Sequence, residues 1–206
     1  MHILTVHGWA FCPSVFKNLP FGADHFLIDY SKGLKENANL LRERLTKETV
    51  LVGWSLGATL SVLASYKKPI KGLVLIGTTP HFGRAWKEVY IESFFKELDE
   101  DYERKLLEFR RTAYGEVDCP IPPKEGAIKL LKEFVNSDIS DLLKELSLKT
   151  VLFHGKKDPI TPFREFKKLL KLNPRFEGMP YDGGHFPTHF SHRDWQKVFE
   201  SFQKLP

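Results

Sequence analysis

Only two cysteines occur in 206 residues, Cys12 and Cys119. Neither a disulfide framework nor a cysteine metal cluster can be built from so few, and the count fits a reducing compartment. No apolar run approaches the roughly 20 residues that cross a bilayer. The opening stretch, Met1-His2-Ile3-Leu4-Thr5-Val6, lacks the basic start and long apolar segment of a secretory signal. A cytoplasmic location without a membrane partner is therefore expected. Internal repeats and low-complexity tracts are absent as well. Charge of one sign is not concentrated anywhere. Residues 80–148 hold 11 Lys and Arg against 15 Asp and Glu, and the remainder holds 20 against 11. The excess positive charge is spread as lysine over apparent helix surfaces, which fits a solvated surface and argues against nucleic acid as a partner.

What is present is apolar material in quantity: 42% hydrophobic residues, 17 of them Phe. A chain of this length is expected to form one domain, 1–206, around a sizeable core. Short apolar runs alternate with amphipathic stretches, the βαβ pattern of a parallel sheet. Strands are expected at Ile3–Val6, His25–Ile28, Val50–Val52, Leu73–Ile76, Val151–Phe153 and Phe176–Met179. Helices are expected at Leu34–Leu45, Ser55–Tyr66, Pro162–Leu170 and Ser191–Phe202. Residues 80–148 break the alternation. Helical periodicity runs there without a strand, over Ala85–Phe95, Asp101–Thr112, Lys124–Val135 and Ile139–Leu146. A helical lid inserted between two sheet strands is the expected arrangement.

Gly53-Trp54-Ser55-Leu56-Gly57 lies between one such strand and its helix. A serine with glycines at ±2 in that position is the nucleophile-elbow pattern, in which a tight turn lifts the hydroxyl toward a base. Serine needs that base, usually a histidine held by a carboxylate. The chain supplies both in the order Ser, Asp, His: Asp158 after the strand ending at Phe153, and His185 after the last strand. G-x-S-x-G alone is a weak signal, because Gly and Ser are common in turns; the ordered partners give it weight. Asp158 could also be a turn residue before Pro159. His154, His189 and His192 are rivals to His185, but the first ends a strand and the others fall where the last helix starts. An oxyanion hole needs two backbone N–H donors. Leu56, after the nucleophile, is one candidate. Trp9, in Val6-His7-Gly8-Trp9 after the first strand, is the other, with His7 as a brace for that loop. Cys12 lies near the loop but has no elbow, which suits a structural or incidental thiol.

With these residues assembled, the chain resembles an α/β-hydrolase. Within that superfamily it is most similar to the pimeloyl-[acyl-carrier protein] methyl ester esterases of biotin synthesis. The likeness rests on His7-Gly8-Trp9, Gly53 through Gly57, Leu73 through Phe82, the segment around Asp158, and Gly184-His185-Phe186-Pro187. It implies a serine carboxylesterase with catalytic Ser55, Asp158 and His185 and oxyanion donors Trp9 and Leu56. The substrate would be the methyl ester of pimeloyl-acyl-carrier protein, held by Trp9, Ser55, Leu56, Phe109 and His185. It further implies no cofactor and no metal, a monomer, and an acyl-carrier protein as partner, with Arg104, Arg110 and Arg111 as contacts. Glu108 stands where the likeness leads one to expect an arginine, and Arg104 can pair with Glu100 or Glu108 at i,i±4. Relatives have strands before the HGW strand, so a reduced, mostly parallel six-stranded sheet with helices on both faces is expected. A broad short-chain carboxylesterase or thioesterase is the nearest alternative, and a non-catalytic hydrolase-like binding protein the remote one.

Overall fold

The computed structural model describes residues 1–19 and 22–203. Six strands form one sheet: β1 (His2–Val6), β2 (Asp24–Phe26), β3 (Thr49–Trp54), β4 (Gly72–Ile76), β5 (Thr150–Gly155) and β6 (Glu177–Tyr181). Their order across the sheet is β2-β1-β3-β4-β5-β6, and every neighbouring pair is parallel. The sheet is thus wholly rather than mostly parallel. β2 is shorter than the apolar pattern suggested, because this edge strand pairs only along Leu4–Val6 of β1.

Side chains of a strand alternate between its faces, and the two cores follow that period. Leu4, Val6, Leu51, Leu73, Leu75 and Leu152 share one core with helices α1 (Leu34–Glu43), α2 (Leu56–Ser65) and α7 (Phe163–Leu172). Ile3, Val50, Val52, Val74, Ile76, Val151 and Phe153 face the other way, onto Trp195, Phe199 and Phe202 of α8 (His192–Gln203). Strands buried on both faces carry continuous apolar runs, which is why β3, β4 and β5 were legible in the sequence.

Between β4 and β5 the chain forms α3 (Glu88–Glu100), α4 (Tyr102–Ala113), α5 (Lys124–Asn136) and α6 (Ser140–Glu145), with no strand among them. Leu98, Leu106, Leu130 and Phe134 bury themselves in the same core as α1 and α2. α3 starts at Glu88 rather than Ala85. Trp86 is extended, and its indole N–H donates to Ile160 O at 2.9 Å. The far end is pinned by buried Asn173, whose amide donates to Leu143 O and Leu146 O at 2.9 and 2.8 Å.

The expectation of two unpaired thiols is corrected. Cys12, after β1, and Cys119, between α4 and α5, form a disulfide with Cα atoms 5.6 Å apart. They are 107 residues apart in sequence, and only the folding of the inserted helices back over the β1 loop brings them together. The pairing also removes the argument from free thiols for a reducing compartment. Among the described residues no helix is long and apolar enough to cross a membrane.

Closing so long a loop restricts the unfolded chain. In the chain-entropy account this stabilises the fold by about 4–5 kcal/mol. Reduction should therefore lower the melting temperature by about 10–15 °C for a domain of this size. Calorimetry with and without a phosphine reductant checks this, together with thiol titration of the unfolded, unreduced chain. Two titratable thiols there, or an unchanged midpoint, would count against the bridge.

Candidate active site

Strand register sets the C-terminal ends of β1, β3, β4, β5 and β6 along one edge of the sheet, where open α/β folds gather their sites. Ser55 alone makes the turn from β3 into α2, with φ 56° and ψ −119°. A non-glycine residue there carries strain of order 1–3 kcal/mol. Bonds on both sides hold it: Ser55 N–H donates to Ile76 O at 2.9 Å, and Ala58 N–H donates to Ser55 O at 2.9 Å. The flanking glycines are steric requirements. A Cβ on Gly57 would lie 2.2 Å from Val6 O, and one on Gly53 would lie 2.5 Å from Gly57 O.

β1 runs beside this elbow, and a Cβ on Gly8 would sit 3.4 Å from the Ser55 Cβ. Gly8 O accepts from His7 Nδ1–H at 2.9 Å and from Phe11 N–H at 3.2 Å. A carbonyl can only accept, so Nδ1 of His7 carries the proton. The Gly8–Trp9 peptide is planar and trans, so fixing its carbonyl turns Trp9 N–H to the opposite side. Burial lowers the pKa of His7 to about 4, against the pull of the Gly8 hydrogen bond, and keeps the ring neutral. The Trp9 indole N–H donates to Ala127 O of α5 at 2.8 Å. Leu56 is fully buried at the start of α2.

Asp158 follows β5. Its Oδ1 accepts from Ile160 N–H and Thr161 N–H, both at 2.8 Å, and its Oδ2 accepts from His185 Nδ1–H at 2.7 Å. Burial alone would raise the carboxyl pKa. The adjoining His185 and the donated hydrogen bonds outweigh it and hold Asp158 below its ordinary value. With Nδ1 engaged by Asp158, the remaining ring nitrogen of His185 is Nε2. That atom is buried and makes no hydrogen bond within the described protein, to Ser55 or any other group. The His185 backbone is held by Trp54, the residue before Ser55, whose indole N–H donates to His185 O at 3.1 Å and whose ring lies 5.5 Å from the imidazole. Gly77, just past β4, has φ +58°, and a Cβ there would come within 2.7 Å of His185 Cε1.

The other histidines stand elsewhere. His154 Nε2–H donates to Thr161 O at 2.7 Å, which steadies the Asp158 loop. His189 packs on Tyr181 and Phe190, and His192 bonds Asn18 O at 2.6 Å at the start of α8. A cavity of about 290 Å³ opens at Ser55. Trp9 and Phe109 line it with Phe82, Trp86, Tyr90, Phe94, Phe134 and Ile160, while Leu56 and His185 are not on its wall. Among the three arginines expected at a carrier surface, Arg104 is exposed but paired with Asp101 at 3.2 Å and Glu108 at 2.7 Å. Arg111 is exposed, 3.7 Å from Glu116. Arg110 does not reach the surface: it is 3% exposed and bonds three backbone carbonyls inside the fold. The helical period that puts 104 and 111 on one face turns 110 inward.

No group of three or more His, Cys, Asp or Glu among the described residues could hold a metal ion. Sequence reasoning missed the Trp54 tie to His185, the space left by Gly77 and the role of Arg110. Gly77 alone carried a signal, as a glycine directly after an apolar strand.

Two expectations follow. Stability contributed by neutral His7 is present above pH 6.5, where both folded and unfolded chains are unprotonated. It is lost as pH falls toward about 4, because only the unfolded chain takes up the proton. The loss amounts to about 3 kcal/mol, and His7→Gln should flatten that limb in denaturant titrations across pH. An unchanged slope in the variant would show that His7 is not responsible. Gly77→Ala should displace the imidazole and cut esterase turnover by about 10²-fold, with turnover equal to the parent as the contrary result.

A family model for the alpha/beta hydrolase fold matches residues 28–116. Similar curated proteins include the pimeloyl-[acyl-carrier protein] methyl ester esterase of Legionella pneumophila strain Corby, 25% identical over 94% of this chain and 91% of its own. That of Vibrio atlanticus is 21% identical over 85% of this chain and 83% of its own. Among solved structures, a hydrolase from Oleispira antarctica superposes with TM-score 0.82 at 15% identity, covering 99% of this chain and 91% of its own. An esterase from Exiguobacterium antarcticum gives 0.76 at 16%, covering 99% and 92%. Sheet order, family model and solved structures agree that this chain has the α/β-hydrolase fold.

Proposed function

We propose that the chain is a serine carboxylesterase acting through an acyl-enzyme. The observation that carries this is the Asp158–His185 bond at 2.7 Å, which leaves Nε2 of His185 buried and unpartnered at the sheet edge that carries the strained Ser55 elbow. Ser55 Oγ attacks the ester carbonyl carbon while Nε2 takes its proton. The carbonyl oxygen becomes an oxyanion facing the Trp9 and Leu56 amides. The C–O bond to the alcohol breaks, and the alcohol leaves with the proton from Nε2. Water then repeats the sequence: it loses a proton to Nε2, attacks the acyl carbon, and Ser55 leaves as the alcohol. Asp158 holds the ring in the required tautomer and stabilises its charged form. Each step needs protein groups and water alone.

The substrate favoured is the methyl ester of a pimeloyl chain carried on acyl-carrier protein. The names of the similar curated proteins support it, and so does the apolar cavity, which accommodates methylene groups rather than a charged head. Residues 80–148 act as the lid whose aromatic side chains wall this channel, with Phe109 among them. Arg104 and Arg111 remain the candidate carrier contacts. The lid's negative balance and the Arg104–Glu108 pair make such contacts local rather than a broad basic field.

Ser55→Ala should lower kcat by about 10⁴-fold or more and abolish labelling by a serine-reactive phosphonate. Full activity in that variant would overturn the acyl-enzyme. Methyl esters of graded chain length, free and carrier-linked, test the substrate, together with complementation of a biotin auxotroph lacking this step. Indifference to the carrier and a preference for short soluble esters would favour a general carboxylesterase instead.

A further inference from the structure

We propose that Arg110, on lid helix α4, is a positioning residue for acyl transfer: it holds the oxyanion loop in place from the lid. The inference rests on the acyl-enzyme reading above and on Trp9 N–H as an oxyanion donor. Arg110 is buried, and no carboxylate among the described residues lies within ion-pair distance of it. Its donors go to three neutral carbonyls instead. Nε bonds Ala10 O at 2.6 Å, Nη1 bonds Cys119 O at 2.7 Å and Nη2 bonds Pro120 O at 2.6 Å. Burying a guanidinium is costly, and it stays charged because its ordinary pKa is so high. A merely structural filler at this position could have been apolar. A planar fork that joins two chain segments could not.

One of those segments is the loop after β1. Ala10 follows Trp9 and has φ +64°, a left-handed backbone that costs a non-glycine residue about 1–2 kcal/mol. Two bonds keep it there: its N–H donates to Tyr30 Oη at 3.0 Å, and its carbonyl accepts from Arg110. Trp9 is therefore bracketed. The peptide before it is fixed by His7 and Phe11, the peptide after it by Tyr30, and the next carbonyl by Arg110. Without Arg110 the strained Ala10 relaxes, and the Trp9 amide turns away from the oxyanion. A hydrogen bond to an oxyanion exists only in the transition state, so its loss falls on kcat rather than on KM.

The test compares parent, Arg110→Ala and Arg110→Lys in the full chain on a p-nitrophenyl ester. Affinity for a trifluoromethyl ketone, which Ser55 converts to a tetrahedral oxyanion adduct, is measured alongside that of the unfluorinated ketone. Arg110→Ala should lose kcat by about 10–100-fold with KM within about threefold, and should lose affinity for the fluoroketone by the same factor. Millimolar ethylguanidinium should restore part of kcat. Arg110→Lys keeps the charge and a donor, and should show the same split at smaller amplitude. It serves alone if Arg110→Ala does not fold. Parental kcat, or a rise in KM matching the fall in kcat, overturns the proposal. Ser55→Ala is the control: if it stays active, the acyl-enzyme reading itself has failed. If it is inactive while the Arg110 variants keep full kcat, only the positioning role falls.

Discussion

Everything at the sheet edge depends on one close contact: the backbone of Gly57 lying against the Val6 carbonyl. That approach lets α2 start one residue after β3 ends, and it forces Ser55 into a conformation that L residues avoid. Because Val6 leads directly into His7-Gly8-Trp9, the same contact sets the distance between Ser55 and the β1 loop. The strain at Ser55 is tolerable because its neighbours are regular. β3 pairs on both sides, α2 is buried along most of its length, and Ile76 O and the first turn of α2 hold the serine peptide groups. A strained residue survives where its surroundings over-determine it.

The fold was legible because central parallel strands need apolar side chains on both faces. Val50-Leu51-Val52, Leu73 through Ile76 and Val151-Leu152-Phe153 could be little else. The candidate triad was legible for a different reason. Chain order and strand ends place residues near one another without any knowledge of side-chain packing. Asp158 and His185 meet because β5 and β6 are neighbours, and the loops after them are tied by Lys156 N–H to Tyr181 O and Lys157 N–H to Gly183 O. What stayed illegible depends on the inserted helices folding back. Cys12 with Cys119, and Arg110 with Ala10, join positions about a hundred residues apart, and no local pattern marks them. Arg110 was misplaced because a helical run of Arg and Glu suggests a solvated face, and one member of the run points the other way.

The inserted helices are therefore more than a cover. Three separate ties run from them to the β1 loop: Arg110 to Ala10 O, the Trp9 indole to Ala127 O, and the Cys12–Cys119 bridge. A flap that swung freely would break all three. The geometry favours a fixed base near α4 and α5. On the α3 side Tyr90, on the cavity wall, and its neighbour Val89 are exposed.

The cavity's chemistry also decides what leaves it. Apart from Ser55, its wall carries aromatic and aliphatic side chains, and among the described residues that line it Tyr90 alone bears an acidic or basic group. An uncharged ester loses little on entering such a space, because few polar atoms give up water. Hydrolysis replaces that ester with a carboxylate at the Ser55 end, and an unpaired anion in apolar surroundings is strongly disfavoured. For the proposed reaction, turnover thus converts a ligand suited to the apolar wall into one that the wall disfavours.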